Sequence, residues 1–286
     1  MMHLDYRHAI RNDIKALSPR AWSRKDVERF LKERRSTWNA PAHLTTSGLF
    51  DFLLENQLVK NGEIVSEYGG KSRYIVGKLT LLQFACAFYK GSFLSHSTAL
   101  HLHGIGPLQE ILVNHEQSPK KTTSRLSQGR INLAFENSPR SSSYVFRTRS
   151  GKSIRFLNGK HTGNAGVIEI KGSEGESLRT TSLERTLIDI VVRPQYAGGI
   201  QSVLGAFRTT RDRLRIEHFP ELLKQTQYAY PYHQALGFLL QRAGVAQTRL
   251  TILAKIPKQF RFYVDYAMTD PAYDPEWKVY YPASFD

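Results

Sequence analysis

The sequence of 286 residues has a single cysteine, Cys86, which excludes an internal disulfide and a zinc site built from several cysteines. No apolar run approaches the ~18 residues that a membrane helix needs, and even the apolar segment 79–89 is broken by polar residues. Residues 1–11 lack the apolar core of a signal peptide, so we expect a cytoplasmic protein without a membrane partner. The Gly-x-Ser-x-Gly and His-Glu-x-x-His motifs of common hydrolases are also absent.

The composition is that of a folded protein with a large excess of positive charge. Hydrophobic residues make up 41% and charged residues 23%, and the length favours two domains. The net charge is +15, and residues 1–90 contain 15 basic and 9 acidic side chains. Such a balance favours a nucleic-acid partner, although acidic lipids or an acidic protein would also fit.

The N-terminal third has the pattern of three short helices followed by a β-hairpin. Apolar spacing and capping residues predict helices over 5–17, 23–35 and 45–56. Residues 60–76 read as two strands joined at a glycine-bearing tip. This order is typical of a winged helix-turn-helix, which we predict for residues 1–78.

The predicted winged helix contains candidate contacts to double-stranded DNA. The helix after the turn enters the major groove N-terminus first, and its positive end favours phosphate. Short side chains at Thr45, Thr46 and Ser47 allow the backbone to approach the bases closely. The remaining candidates lie on the preceding helix or in the wing: Arg24, Lys25, Arg34, Arg35, Lys71, Ser72 and Arg73. The alternative is a solvated surface of a protein-interaction module.

Residues 79–286 form the predicted second domain. It begins with a buried helix over 79–90, continues with a β-rich half, and becomes helical over 181–244. The expected fold class is therefore α+β: a winged helix-turn-helix followed by a larger mixed α/β domain. The predicted strands lie at 110–114, 130–135, 144–147, 153–157 and 165–170, with a further β-like stretch at 249–254.

One pattern in this second domain suggests an enzyme. Glu169 and Lys171 form the Glu-x-Lys strand motif of metal-dependent nucleases, in which the carboxylate holds Mg²⁺ and the lysine supports the attacking water. Such sites also need an upstream aspartate, and Glu136 is the nearest stand-in for it. A metal-dependent nuclease is thus kept as an alternative.

Two other patterns do not complete a site. The Gly-Lys-Ser ending at Ser153 resembles the end of a phosphate loop, but Phe146 stands near the position that requires glycine. Four histidines lie close in sequence without a metal-ligand spacing, so we expect structural hydrogen bonds instead: His96, His101, His103 and His115. We expect no catalytic residues, no metal and no other cofactor.

Three segments that follow the predicted winged helix in order resemble the AbiEi antitoxins of type IV toxin–antitoxin systems. They are residues 92–105, residues 181–189 (Thr-Ser-Leu-Glu-Arg-Thr-Leu-Ile-Asp) and residues 232–244, which contain Ala-Leu-Gly-Phe-Leu-Leu. With the winged helix, the resemblance covers most of residues 20–245. One departure is His233-Gln234, where the family often has Gln/Ala-Arg.

The resemblance implies a non-enzymatic antitoxin that represses its own operon. The winged helix would bind repeats in the promoter. The second domain would counter a nucleotidyltransferase-like toxin, without requiring a stable complex with it. A stand-alone transcriptional regulator without a toxin partner remains a further alternative.

Overall fold

The computed structural model describes residues 6–119 and 125–285 and divides into two compact units. The first unit comprises residues up to Lys90 together with Val145–Ile154, and the second comprises Gly91–Tyr144 and the chain from Arg155 onward. Both units mix helices and strands, which confirms the predicted α+β class. The predicted boundary after residue 78 lies inside the first unit as the structure divides the chain.

The first unit contains three helices, a four-stranded antiparallel sheet and a short fourth helix. In chain order its elements are α1 (Tyr6–Ala16), β1 (Arg20–Trp22), α2 (Arg24–Arg34), α3 (Thr46–Glu55), β2 (Lys60–Ser66), β3 (Gly69–Val76) and α4 (Leu81–Cys86). These strands lie in the order β1-β3-β2, with Trp22 opposite Tyr74 and Gly62 opposite Arg73, and the later strand Val145–Thr148 pairs antiparallel with β2 as the fourth strand of this unit. The three predicted helices and the hairpin are confirmed, whereas β1 was not expected.

The core of the first unit is built from the apolar stripes of its helices. Ile10 and Ile14 of α1 are one turn apart, as are Val27 and Leu31 of α2, and all four are at most 4% exposed. They pack with the following buried side chains of α3 and its neighbours: Trp22, Trp38, Leu49, Phe50, Leu53, Val59 and Val76.

The helix predicted over 79–90 is shorter than expected. It spans Leu81–Cys86, begins at the capping residue Thr80, and leaves Cys86 half-buried. Phe84 packs against Gly62 of β2, where an added Cβ would lie 2.6 Å from its ring. This close approach fixes α4 against the hairpin of the same unit.

The second unit contains a mixed sheet followed by a helical half. Its first elements are β4 (Phe93–Leu94), α5 (His96–Leu102), β5 (Ile111–Glu116) and α6 (Gln128–Glu136). The chain then returns to the first unit for β6 (Val145–Thr148). The next strands are β7 (Ser153–Gly159), β8 (Val167–Lys171) and β9 (Ser177–Thr181). The rest are α7 (Leu183–Val192), α8 (Ile200–Thr210), α9 (Phe219–Thr226), α10 (Tyr232–Arg242), α11 (Gln247–Ala254), β10 (Phe262–Tyr263), β11 (Ala272–Asp274) and β12 (Val279–Tyr281). The sheet order in this unit is β7-β5-β4-β9-β8.

Two of the predicted strands in this unit are helices. Residues 130–135 lie in α6, where Ser127 caps the first turn and Ile131 and Phe135 are buried one turn apart. Residues 249–254 lie in α11, with Leu250 and Leu253 buried. In both segments the buried side chains recur at helical spacing, which short apolar runs do not distinguish clearly from strands.

The helical half packs around α7, α8 and α10, as the apolar spacing predicts. Their inner faces and the C-terminal strands form one core that includes Leu187, Val203, Phe207, Leu236, Leu239 and Trp277. At the centre of α10, Gly237 lies directly under the Trp277 ring, with no room for a Cβ between them.

Candidate nucleic-acid interface

The N-termini of α2 and α3 are both closed by side-chain caps. Ser23 and Asp26 form a reciprocal capping box at α2. Burial acts to raise the pKa of Asp26, but the hydrogen bonds from Ser23 and the charge of Arg29 outweigh it and hold this pKa below its usual value. Thr45 caps α3, and its hydroxyl accepts a hydrogen bond of 3.1 Å from the Gly48 amide. Thr45 therefore has a local structural role besides its predicted contact with DNA.

A hydrogen bond joins the two helix starts. The Arg24 guanidinium donates to the Ser47 hydroxyl at 3.0 Å and lies 5.8 Å from the centre of the Phe50 ring. Arg24, Lys25 and Ser47 are all exposed, while Thr46 is half-buried. The structure thus places Arg24 beside the positive N-terminus of α3, a charge distribution that a phosphate group prefers, whereas the N-terminus of α2 already holds the Asp26 carboxylate.

The other exposed face of α3 is acidic. Asp51 and Glu55 are exposed, and α3 has no basic residue. Carboxylates repel phosphates at short range, although an aspartate or glutamate can accept a hydrogen bond from cytosine. Any phosphate contact made by α3 is therefore confined to its first turn.

Arg34 and Arg35 lie at the opposite end of α2 from Arg24. Arg35 donates to the carbonyl oxygens of Pro41 and Leu44, each at 2.6 Å, and so holds the turn between α2 and α3. Arg34 lies 3.9 Å from the Asp13 carboxylate. The contacts of Arg35 give it a structural role, and its predicted DNA contact stays a prediction.

Lys71 and Arg73 pack against the chain that follows α4. Lys71 donates to the Tyr89 hydroxyl at 2.8 Å, and Arg73 donates to the carbonyl oxygens of Ala87 and Phe88 at 2.9 and 2.7 Å. Burial lowers the pKa of Arg73. Ser72, between them, is exposed. The proposed wing contacts are untested, but both basic side chains already have partners within the first unit.

The residues of the nuclease alternative lie on different elements of the second unit. Glu169 and Lys171 are exposed on β8, whereas Glu136 is the last residue of α6. Over residues 6–119 and 125–285, no group of three or more His, Cys, Asp or Glu side chains is placed to hold a metal ion. Two of the noted histidines bond to backbone carbonyls, His101 to Gly106 at 3.0 Å and His103 to Thr181 at 2.8 Å.

A buried polar cluster in the second unit was not expected from the sequence. Arg185 and Asp189 of α7 form an ion pair of 2.8 Å with side chains only 2% and 3% exposed. The Tyr228 hydroxyl donates to the same Asp189 oxygen at 3.2 Å, and burial raises the pKa of Tyr228. Burial lowers the pKa of the neighbouring His96 to about 4, so its ring is neutral at pH 7.

This cluster surrounds a cavity of about 40 Å³, which has room for a single water molecule. The second oxygen of Asp189 and the amide oxygen of Asn114 line it without a hydrogen-bond partner among the described residues. Because the pair is buried, its loss costs far more than the tenths of a kcal/mol that an exposed pair one helical turn apart contributes.

The chain is a mixed α+β protein of two units, and its fold is similar to a solved one. The crystal structure of the RV2827C protein from Mycobacterium tuberculosis matches with a TM-score of 0.52 and 14% sequence identity. The match covers 96% of this chain and 90% of that chain. At this identity the likeness concerns the fold alone. No protein-family model matches the sequence, and no curated protein matches it either. No helix among the described residues is long and apolar enough to cross a membrane.

Proposed function

We propose that the first unit is a winged helix-turn-helix that binds double-stranded DNA, with the first turn of α3 in the major groove. The observation that carries this proposal is the hydrogen bond between Arg24 and Ser47, which holds a basic side chain over the N-terminus of α3. The order α1-β1-α2-α3-β2-β3, with its antiparallel sheet, is the order such a domain requires.

The charge of the chain supports this proposal. The net charge is +15, and the contacts described above leave Arg24 and Lys25 exposed at the start of α2, with Arg24 beside the N-terminus of α3. Basic groups that neutralise phosphates release counterions from DNA, and this release supplies most of non-specific affinity. Sequence preference would come from Thr46 and Ser47, which stand where base edges are read.

The second part of the proposal concerns the biological role. The resemblance of residues 92–105, 181–189 and 232–244 to AbiEi antitoxins supports a repressor of its own operon that counters a nucleotidyltransferase-like toxin. This role requires an adjacent gene whose expression stops growth unless the present protein is co-expressed. If no such gene exists, the protein is a stand-alone regulator, and the DNA-binding part of the proposal is unaffected.

The double variant Arg24→Ala/Lys25→Ala tests the interface. Because each neutralised phosphate contributes a slope of roughly −0.9 to log affinity against log salt, we expect the slope to become less steep by about 2 and the affinity to fall for all sequences. Fluorescence anisotropy with labelled duplexes over a salt series measures both quantities. The matched control is Lys32→Ala, an exposed lysine at the far end of α2, which should leave the slope unchanged.

Two results would count against this interface. One is a double variant that remains folded and keeps the wild-type affinity and slope. The other is a control variant, Lys32→Ala, that loses as much as the double variant, because the effect would then reflect net charge and not the junction of α2 and α3.

A further inference from the structure

Strand β8 forms an open edge of the sheet in the second unit. It pairs with β9 on one side, from Val167 opposite Thr181 to Lys171 opposite Ser177, and ends the strand order on the other. Ile168 is 39% exposed, although it is a large apolar side chain. An open edge of this kind presents unpaired backbone groups to any strand that can align with it.

The hydrogen bonds to β9 fix which backbone groups of β8 face outward. The Gly172 amide donates to the Glu176 carbonyl at 2.8 Å, and the Ser182 amide donates to the Gly166 carbonyl at 2.7 Å. Because these bonds alternate along an antiparallel strand, even-numbered residues of β8 point their backbone groups toward β9. The amide and carbonyl groups of Glu169 and Lys171 therefore point toward the open side.

The side chains at this edge carry opposite charges two residues apart. Glu169 and Lys171 are both exposed and lie on the same face of the sheet. The Ser177 hydroxyl donates to Glu169 at 3.2 Å and leaves its charge in place. The edge is thus charged, with one acidic and one basic position.

Among the registers centred on Glu169, Ile170 or Lys171, these two features select one pairing of the strand with itself. In an antiparallel pair, residues with outward backbone groups must stand opposite each other. Placing Glu169 opposite Glu169, or Lys171 opposite Lys171, sets like charges together, which is unfavourable. When the twofold axis passes through Ile170, each Glu169 stands opposite a Lys171, and both pairs are hydrogen-bonded pairs.

We propose that β8 docks antiparallel on β8 of a second copy of this chain, with Ile170 opposite Ile170 and Glu169 opposite Lys171. The pairing continues the sheet across the twofold axis. It uses the same patch on both copies, as a twofold dimer requires. The proposal rests on the β8 edge alone and stands or falls independently of DNA binding.

Charge exchange at this edge tests the pairing. Sedimentation equilibrium of the wild-type protein should give twice the chain mass of 32.7 kDa. Lys171→Glu and Glu169→Lys should each raise the dimer dissociation constant roughly tenfold or more, because both facing pairs become like-charged. The exchanged double variant Glu169→Lys/Lys171→Glu, and an equimolar mixture of the two single variants, should restore the dimer.

The control is Lys255→Glu, which makes the same change in net charge at an exposed site outside β8 and should leave the dimer intact. Since Arg179 stands opposite Glu169 on β9, Lys171→Glu alone carries the test if Glu169→Lys does not fold. A wild-type protein that is monomeric at every concentration contradicts the proposal. So does a dimer that Lys171→Glu leaves unchanged.

Discussion

Replacing Arg185 with methionine is expected to lower the free energy of unfolding of the second unit by about 3–5 kcal/mol. The variant leaves the Asp189 carboxylate buried and without its cation, and Tyr228 supplies only one hydrogen bond to it. It also removes the donors to the Thr162 hydroxyl and to the Ala165 carbonyl. A urea titration followed by circular dichroism at pH 7 measures the loss.

The matched variants separate the ion pair from the effect of removing an arginine. Arg208→Met removes an exposed arginine of α8 and should change the free energy of unfolding by less than about 0.5 kcal/mol. The double variant Arg185→Met/Asp189→Leu should recover much of the loss, because an apolar pair avoids the cost of an unpaired buried charge. A loss below about 1 kcal/mol for Arg185→Met would show that the pair does not support the fold as described.

The second large effect is expected at Gly237 in the centre of α10. An added Cβ overlaps the Trp277 ring, which is fully buried and donates to Gln241 at 2.6 Å. Gly237→Ala should therefore destabilise the second unit by about 1–3 kcal/mol through overpacking, even though alanine favours the helix by about 1 kcal/mol. The midpoint of urea unfolding should fall accordingly.

Gly205 in α8 provides the control for this substitution. A Cβ added at Gly205 meets nothing within 4 Å, so Gly205→Ala should stabilise the protein by up to about 1 kcal/mol. Opposite shifts of the two midpoints are the expected result. Equal shifts in the same direction would mean that helix propensity, and not the packing of Trp277, decides the effect at Gly237.

The sequence was most informative where the controlling interactions are local. Ser23 and Thr45 were recognised as helix starts because a cap bonds to an amide only a few residues away. Strands β1 and β4 were missed because they have only two or three residues and pair with segments farther along the chain, whereas β9 was missed although its partner β8 immediately precedes it. Residues 130–135 were assigned to a strand because a short apolar run fits the periodicity of a helix as well as that of a strand.

The same distinction applies to the candidate site. The sequence pattern placed Lys71 and Arg73 in the wing, but their contacts come from residues 87–89, which local patterns do not position. Arg185 and Asp189 stand four residues apart, a spacing that the sequence shows directly. Their burial depends on Thr162 and Tyr228, which approach from distant parts of the sequence. The contact between Arg24 and Ser47 likewise depends on how α2 packs against α3, which the sequence pattern alone does not predict.

Binding of the full chain to the DNA upstream of its own gene tests the central claim most directly. Anisotropy titrations at one fixed salt concentration should compare this DNA with a shuffled duplex of equal length and composition. We expect the upstream DNA to bind at least ~10³-fold more tightly, as specific sites do, and Ser47→Ala to reduce that ratio more than it reduces affinity for the shuffled duplex. Equal affinity for both duplexes, or no binding to either at low salt, would contradict the account of the first unit as a sequence-specific DNA-binding domain.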